Sequence, residues 1–203
     1  LNITGKPVLL GPITFVKLSK GYQENELATM VGQFIPLYAQ ILRELQAEGV
    51  EWVQIDEPIL ATSISKEEIA LFHNVYEALH AAAPDVKIIL QTYFDSIEHF
   101  QDVISLPVQG IGLDFVYDSG ENLHALLEYG FPTDKILAAG IINGRNVWCA
   151  NLGDKCSLLE KITQVVSKDR LIVQPSSSLL HVPVTVKNEE TLNEELKITL
   201  AFA

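Results

Sequence analysis

The sequence is short of cysteine, of basic residues and of long apolar runs, and each shortage excludes something. Its two cysteines, Cys149 and Cys156, lie near one another without a CxxC pattern, so spacing gives no zinc motif. Two ordinary reduced thiols are expected. No apolar run approaches the roughly 18–20 residues that span a bilayer, and Leu1 to Lys6 lacks a signal-peptide layout. A soluble, cytoplasmic protein with no membrane partner is the expectation. With 14 basic against 26 acidic residues the net charge is −12, which argues against a nucleic-acid partner or an anionic membrane surface. A small local basic site remains compatible with that balance. The aromatic residues, 8% of the chain, are scattered and not interleaved with lysines, so they form no single-strand platform.

What is present describes one globular domain over residues 1–203, with 48% hydrophobic and 20% charged residues. Short apolar runs alternate with segments of helical period. The runs are Pro7–Pro12, Trp52–Asp56, Lys87–Gln91, Gly110–Val116, Ile136–Ile142 and Arg170–Val173. Helices are expected over Leu27–Glu48, closed by Gly49 and kinked or delayed by Pro36, and from Ser65 to about Ala83, where Pro84 stops the helix. The second opens with the capping box Ser65-Lys66-Glu67-Glu68 and continues with the apolar stripe Ile69, Phe72, Tyr76, Leu79 and Ala83. Further helices are expected near Ile97–Leu106, Glu121–Tyr129, Leu152–Val166 and Glu189–Phe202.

Strands separated by helices cannot pair as hairpins, so the sheet is expected to be parallel. Two architectures have this order. A doubly wound sheet calls for a glycine-rich phosphate loop after the first strand, and Gly11-Pro12-Ile13-Thr14 is not one. A (β/α)8 barrel calls for polar residues at the C-terminal strand tips. Thr14, Asp56-Glu57, Thr92, Asp114, Asn143 to Asn146 and Ser176 to Ser178 fill those places. The expected fold is therefore an α/β TIM barrel, incomplete here, with about six of its eight strand-helix units.

Four strand-tip residues are candidates for binding a substrate at the barrel mouth: Asp56, Glu57, Asp114 and Arg145. Strand alternation puts Asp56 on the inward face with Gln54, where a carboxylate can bind an amine, ligate a metal or act as a base. Its bland alternative is a carboxylate bonded to its neighbours. Asp114 has the same two readings, with Arg145 or backbone as partner. Arg145 is a fixed cation able to clamp a carboxylate, or to sit in an ion pair with Asp56 or Asp114. His73, His80, His99 and His124 fall in expected helices, away from the tips; His181 follows the sixth strand without a visible partner. Ser176 to Ser178 have no GxSxG elbow and read as a hydroxyl-lined loop.

Several strings, in order, resemble the N-terminal domain of the cobalamin-independent methionine synthase family. They are Lys6 to Phe15 (KPVLLGPITF), Gly49 to Pro58 (GVEWVQIDEP), Gln91 to Phe94 (QTYF), Gly144 to Trp148 (GRNVW), Pro175 to Pro183 (PSSSLLHVP), Glu195 to Lys197 and Leu200 to Ala203. The likeness runs from end to end of the chain. It implies two (β/α)8 barrels related by duplication, and an enzyme that moves a methyl group from 5-methyltetrahydropteroyltri-glutamate to homocysteine, giving methionine. It also implies zinc, and no cobalamin, with zinc held in a C-terminal catalytic barrel that is the partner of this segment. There zinc stabilises the homocysteine thiolate as nucleophile.

The duplication implies a residue-level contrast. Thr92 and Phe94 stand where the catalytic barrel has its first zinc histidine and cysteine, Asp114 where it has the glutamate ligand, and Ser177 where it has the second cysteine. Arg145 stands at the proton-donor histidine, and Asp56 alone keeps its type, at the position that holds the homocysteine amino group. Many relatives of this domain read PSCSLLH where this chain has Ser177. The resemblance thus implies no zinc ligand and no catalytic residue here, and a scaffold role with a groove for the folate tail. The family's contacts to that tail come mostly from residues ahead of Leu1, leaving local groups such as Lys17, Lys20 or Arg145. Two other classes stay open on the residues alone: a free-standing carboxylate hydrolase built on Asp56, Glu57 and Asp114, and a small-ligand binding module.

Overall fold

The computed structural model describes residues 5–201, apart from the side chains of Glu24 and His181. Six strands form one parallel sheet in the order β1-β2-β3-β4-β5-β6. They are β1 (Val8–Leu10), β2 (Trp52–Asp56), β3 (Lys87–Gln91), β4 (Gly110–Asp114), β5 (Ile136–Ile142) and β6 (Leu171–Pro175). Each strand pairs with the next in sequence, as Val53 with Ile88 and Ile111 with Leu137. A doubly wound sheet reverses its order at a switch point; this one never does.

The sheet is also curved. Gln174 on β6 donates to Gln91 Oε1 on β3 at 2.5 Å, across two intervening strands. In a flat sheet their backbones would lie about 14 Å apart, too far for two glutamine side chains to meet. The chord between them therefore crosses a concave interior. This is the incomplete (β/α)8 barrel expected from the strand-helix count, with β1 and β6 as its edges.

Alternation sorts the side chains. Val53, Ile55, Ile88, Leu90, Ile111, Leu113, Leu137, Ala139 and Ile141 point outward and join Phe72, Val75, Tyr76 and Leu79 of the helix layer in one buried core. The inward face carries Gln54, Asp56, Gln91, Gly112, Asp114, Gly140 and Gln174, which are polar or small, together with apolar Val8, Leu10, Ile89 and Ile172 in the same register. The polar members form a hydrogen-bonded layer inside the barrel, and the main hydrophobic core lies outside it.

The helices are α1 (Pro12–Leu18), α2 (Leu27–Ala47), α3 (Lys66–Ala82), α4 (Phe100–Ser105), α5 (Glu121–Tyr129), α6 (Leu152–Ile162) and α7 (Glu194–Lys197). The capping box of α3 forms as expected: Ser65 Oγ accepts Glu68 N–H at 3.2 Å, and Glu68 accepts Ser65 N–H at 2.7 Å. Gly49, at φ +77°, closes α2, with Gly49 N–H bonded to Gln46 and Val50 N–H to Leu45.

Three expectations need correction. Helix α2 already begins at Leu27, so Pro36 does not delay it; Pro36 and Gly32, whose carbonyl loses its partner, both lie on the solvent side. The stretch after Leu10 is not strand but α1, begun by Pro12 at its first position. Thr14 accordingly sits in a helix and not at the mouth. The last expected helix shrinks to α7: Asn193 caps Leu196 N–H at 2.7 Å, and Trp148 pairs antiparallel with Leu200 just beyond. Leu192, Leu196 and Leu200 have helical spacing, yet they line a surface cavity with Val147 and Trp148. Among the described residues no helix is long and apolar enough to cross a membrane.

Candidate functional site

The C-terminal strand tips gather the polar residues. Asp56, at the end of β2, faces inward. Gln54 Nε2 donates to Asp56 Oδ1 at 2.7 Å and to the Tyr93 hydroxyl oxygen at 2.8 Å, and Lys6 Nζ donates to Gln54 Oε1 at 2.6 Å. Gln54 thereby holds a cation on one side and a carboxylate on the other. Burial pushes the Asp56 carboxyl up, opposed by its bonds from Gln54 and Tyr93. Burial lowers the Lys6 ammonium, partly opposed by Asp56. These groups open on a cavity of about 380 Å³ that also touches Gln174, Ser177 and Ser178.

Glu57, the next residue, faces the opposite way and is fully buried. Its carboxylate accepts Ile13 N–H at 3.2 Å, Thr14 N–H at 2.7 Å, the Thr14 hydroxyl at 2.5 Å and the Tyr76 hydroxyl at 3.0 Å. It thus caps the first turn of α1, whose own N-cap, Gly11, has no side chain to offer. A Cβ on Gly11 would lie 2.0 Å from Glu57 Cδ, so glycine is what admits the carboxylate. Burial raises the Glu57 carboxyl to about 7 against these four donors. The structure separates Glu57 from the mouth by one step of strand alternation.

Asp114, at the tip of β4, is also fully buried. Oδ1 accepts the N–H groups of Val116 (2.7 Å) and Tyr117 (3.0 Å), and Oδ2 that of Phe94 (3.1 Å). Desolvation raises its carboxyl, and the three N–H groups pull the other way. Of its two sequence readings the structure displays backbone bonding, and it ends β4 two residues short of the expected Val116.

Arg145 forms no ion pair among the described residues, contrary to the expected pairing with Asp56 or Asp114. Its guanidinium carbon lies 4.9 Å from the ring centre of Tyr117 and 5.4 Å from that of Phe94. Asn143 Oδ1 fixes the base of this clamp by accepting both Arg145 N–H (2.9 Å) and the Tyr117 hydroxyl (3.0 Å). Phe94 is 48% exposed and holds a left-handed backbone at φ +80°. Sequence reading missed the Tyr117 partner and the backbone of Phe94; inward alternation of Gln54 was visible, but nothing local marks a left-handed phenylalanine.

Donors for a metal are poor here. Phe94 offers none, the Thr92 hydroxyl is engaged with Gly112 carbonyl at 2.8 Å, and both Asp114 oxygens are occupied by backbone. The set at Thr92, Phe94, Asp114 and Ser177 does not fit zinc. Among the described residues no three His, Cys, Asp or Glu side chains group to hold an ion. Cys149 and Cys156 are free and exposed. Ser176 Oγ accepts Gly144 N–H, and Ser178 Oγ accepts Leu180 N–H, each at 3.3 Å. His73, His80, His99 and His124 lie on or beside the helices, as expected; the side chain of His181 is outside the described set. Lys17 is engaged by Glu68, and Lys20 is exposed.

Similarity to known proteins agrees with this geometry. The 5-methyltetrahydropteroyltriglutamate–homocysteine methyltransferase of Listeria welshimeri is 56% identical over 203 residues, covering all of this chain and 26% of its own length. The protein of the same name from Bacillus subtilis is 48% identical over 202 residues, again 26% of its length. The chain thus spans about a quarter of the curated relatives it matches. Among solved structures, a B12-independent methionine synthase from a Shewanella species superposes with a TM-score of 0.66 at 16% identity, over 85% of this chain and 54% of that one. A 7,8-dihydropteroate synthase from Vibrio fischeri reaches 0.50 at 15% identity, over 87% and 64%. At such identities these two show the fold alone. The family model described as "Cobalamin-independent synthase, N-terminal domain" matches residues 1–167, and with the full-length relatives it establishes that this chain belongs to the cobalamin-independent synthase family.

Proposed function

We propose that this chain is part of a methyltransferase that moves a methyl group from 5-methyltetrahydropteroyltriglutamate to homocysteine, and that it supplies the non-catalytic N-terminal barrel. The observation that carries this is identity of 56% along the whole chain to a protein named for that reaction. The barrel chemistry supports the non-catalytic part: Glu57 and Asp114 spend their oxygens on hydroxyl and backbone donors. That also weighs against a carboxylate hydrolase, which needs carboxylates free to move protons.

In this reading all 203 residues form one domain, the larger part of a barrel. Asp56, Asp114 and Arg145 border a groove for the folate tail, and Glu57 stiffens the wall behind it. The partner is a C-terminal catalytic barrel of the same protein, which holds the zinc that this donor set does not fit. When bound there, zinc supplies a thiolate nucleophile; the present residues build and hold the adjoining wall. A cytoplasmic setting suits reduced Cys149 and Cys156.

Methyl transfer measured with the chain alone and with the whole protein tests this. The whole protein is expected to turn over and the chain alone to be inactive. Turnover by the chain alone, or none by the whole protein, defeats the reading.

A further inference from the structure

Beside Asp114 and Phe94 lies a second cavity, of about 320 Å³, lined by Phe94, Arg145, Ser177, Ser178, Leu180 and Val182. Three observations about its wall point the same way. The Arg145 guanidinium is positioned by two rings and meets no carboxylate among the described residues, so its fork of donors is available. The Ser177 hydroxyl is buried, with the residue only 5% exposed, and has no hydrogen-bond partner among the described residues. A buried hydroxyl without a partner is costly and calls for an explanation, one being a ligand. Gly144 packs closely against this residue: a Cβ there would stand 2.5 Å from the Ser177 carbonyl oxygen and 2.7 Å from its Oγ.

The third observation is Phe94 itself. A phenylalanine at φ +80° is strained and persists where its surroundings over-determine it. Here Asp114 fixes its N–H, and the strained turn directs the ring against Arg145. Strain of this kind gathers at ligand sites. The rest of the lining, Leu180 and Val182, is apolar.

We infer that this cavity binds a small carboxylate with a compact apolar body, the carboxylate on Arg145 with Ser177 as an added donor and the body against Phe94, Leu180 and Val182. The inference gives a ligand class to the Arg145 side of the proposed groove but stands on the cavity alone. With one guanidinium on this wall, the site holds one carboxylate at a time, either that of a free monocarboxylate or a single unit of a longer chain.

Calorimetric titration with benzoate and with benzamide, its neutral isostere, tests the inference. Benzoate is expected to bind at least about tenfold more tightly than benzamide, and Arg145→Gln to remove that advantage. Ser177→Ala is expected to weaken benzoate several-fold while leaving the thermal midpoint equal or higher, because it deletes an unpartnered hydroxyl. A γ-linked glutamate tripeptide as competitor identifies the source: displacement of benzoate assigns the site to a carboxylate of an oligoglutamate chain, and no displacement to a free monocarboxylate. Equal affinity for benzoate and benzamide, or unchanged benzoate binding in Arg145→Gln, overturns the inference. Methyl transfer is not read, so failure here leaves the methyltransferase reading intact.

Discussion

Glu57 Oε2 accepts both the N–H of Thr14, at 2.7 Å, and its hydroxyl, at 2.5 Å, tying the tip of β2 to the first turn of α1. The same carboxylate is fully buried and its pKa is raised from 4.5 to about 7, chiefly by desolvation. An acid whose folded pKa is raised contributes stability that is whole below the unfolded value and lost as pH rises through the folded one. Between about pH 4.5 and 7 the unfolded chain releases this proton first, so Glu57 lowers stability by on the order of 3 kcal/mol across that window. Glu57→Gln should flatten that part of the slope, and should cost roughly 1–3 kcal/mol at pH 5, where its amide faces donors. Urea midpoints from pH 5 to 8 measure both; parallel slopes in the two proteins would refute the role assigned to Glu57.

Asp114 accepts three backbone N–H groups and so holds two turns at once. Asp114→Ala leaves those donors to whatever water reaches them. It should destabilise the chain by roughly 2–4 kcal/mol, and Asp114→Asn, which retains one acceptor oxygen, by about half as much. The amide resonance of Phe94 should shift in both variants. Stability unchanged in Asp114→Ala would mean that these bonds contribute nothing net.

Much of this arrangement was legible in the sequence, and the exceptions have physical causes. The six strands and their parallel order follow from apolar runs spaced by helical stripes, because burial on two faces imposes both patterns. The box at Ser65 and Glu68 was readable because its partners are three residues apart. Inward Asp56 followed from alternation with Gln54. By contrast, α1 depends on Glu57, 43 residues after Thr14, and no local pattern reports such a cap. The left-handed turn at Phe94 depends on Asp114, 20 residues on, and the Arg145 clamp on rings from two other loops. The last helix misled because Leu192, Leu196 and Leu200 keep helical spacing although only Leu196 lies in α7, Leu200 being bridged to Trp148.

Glycine on the inner face sets how closely strands pack. A Cβ on Gly140 would stand 2.8 Å from Ser176 Cα and 2.9 Å from the Leu113 carbonyl oxygen, backbone on both sides. A Cβ on Gly112 would meet Gln91 Oε1 at 1.9 Å, which belongs to a side chain that can turn away, though it must give up its bond from Gln174. Gly140→Ala should therefore be the more damaging, by about 3 kcal/mol or more, with Gly112→Ala nearer 1–2 kcal/mol. Thermal unfolding of the two variants orders them; the reverse order would show that the Gln91–Gln174 chord outweighs strand separation.

Helix α3 gives a control far from the mouth. Ser65→Ala removes one half of the capping box and should cost about 1 kcal/mol. Glu68 also engages Lys17 of α1, so Glu68→Ala should cost more than Ser65→Ala in low salt, and the gap should close as salt screens the pair. Chemical denaturation at two ionic strengths decides it, and a salt-independent gap would assign the extra cost to packing.

Zinc provides the last test, because a metal that binds the folded state raises its stability by mass action. A site at Thr92, Phe94, Asp114 and Ser177 would have to draw the Thr92 hydroxyl from Gly112 and strip Asp114 of three N–H donors. It would gain no thiolate in return, and Phe94 contributes no donor atom. Adding zinc, or a chelator, should leave the melting temperature of this chain unchanged. Phe94→Cys with Ser177→Cys should restore two soft ligands beside Asp114, and melting should then rise with zinc concentration. A rise in the unaltered chain would mean that Asp114 can abandon its backbone partners at less cost than its geometry indicates.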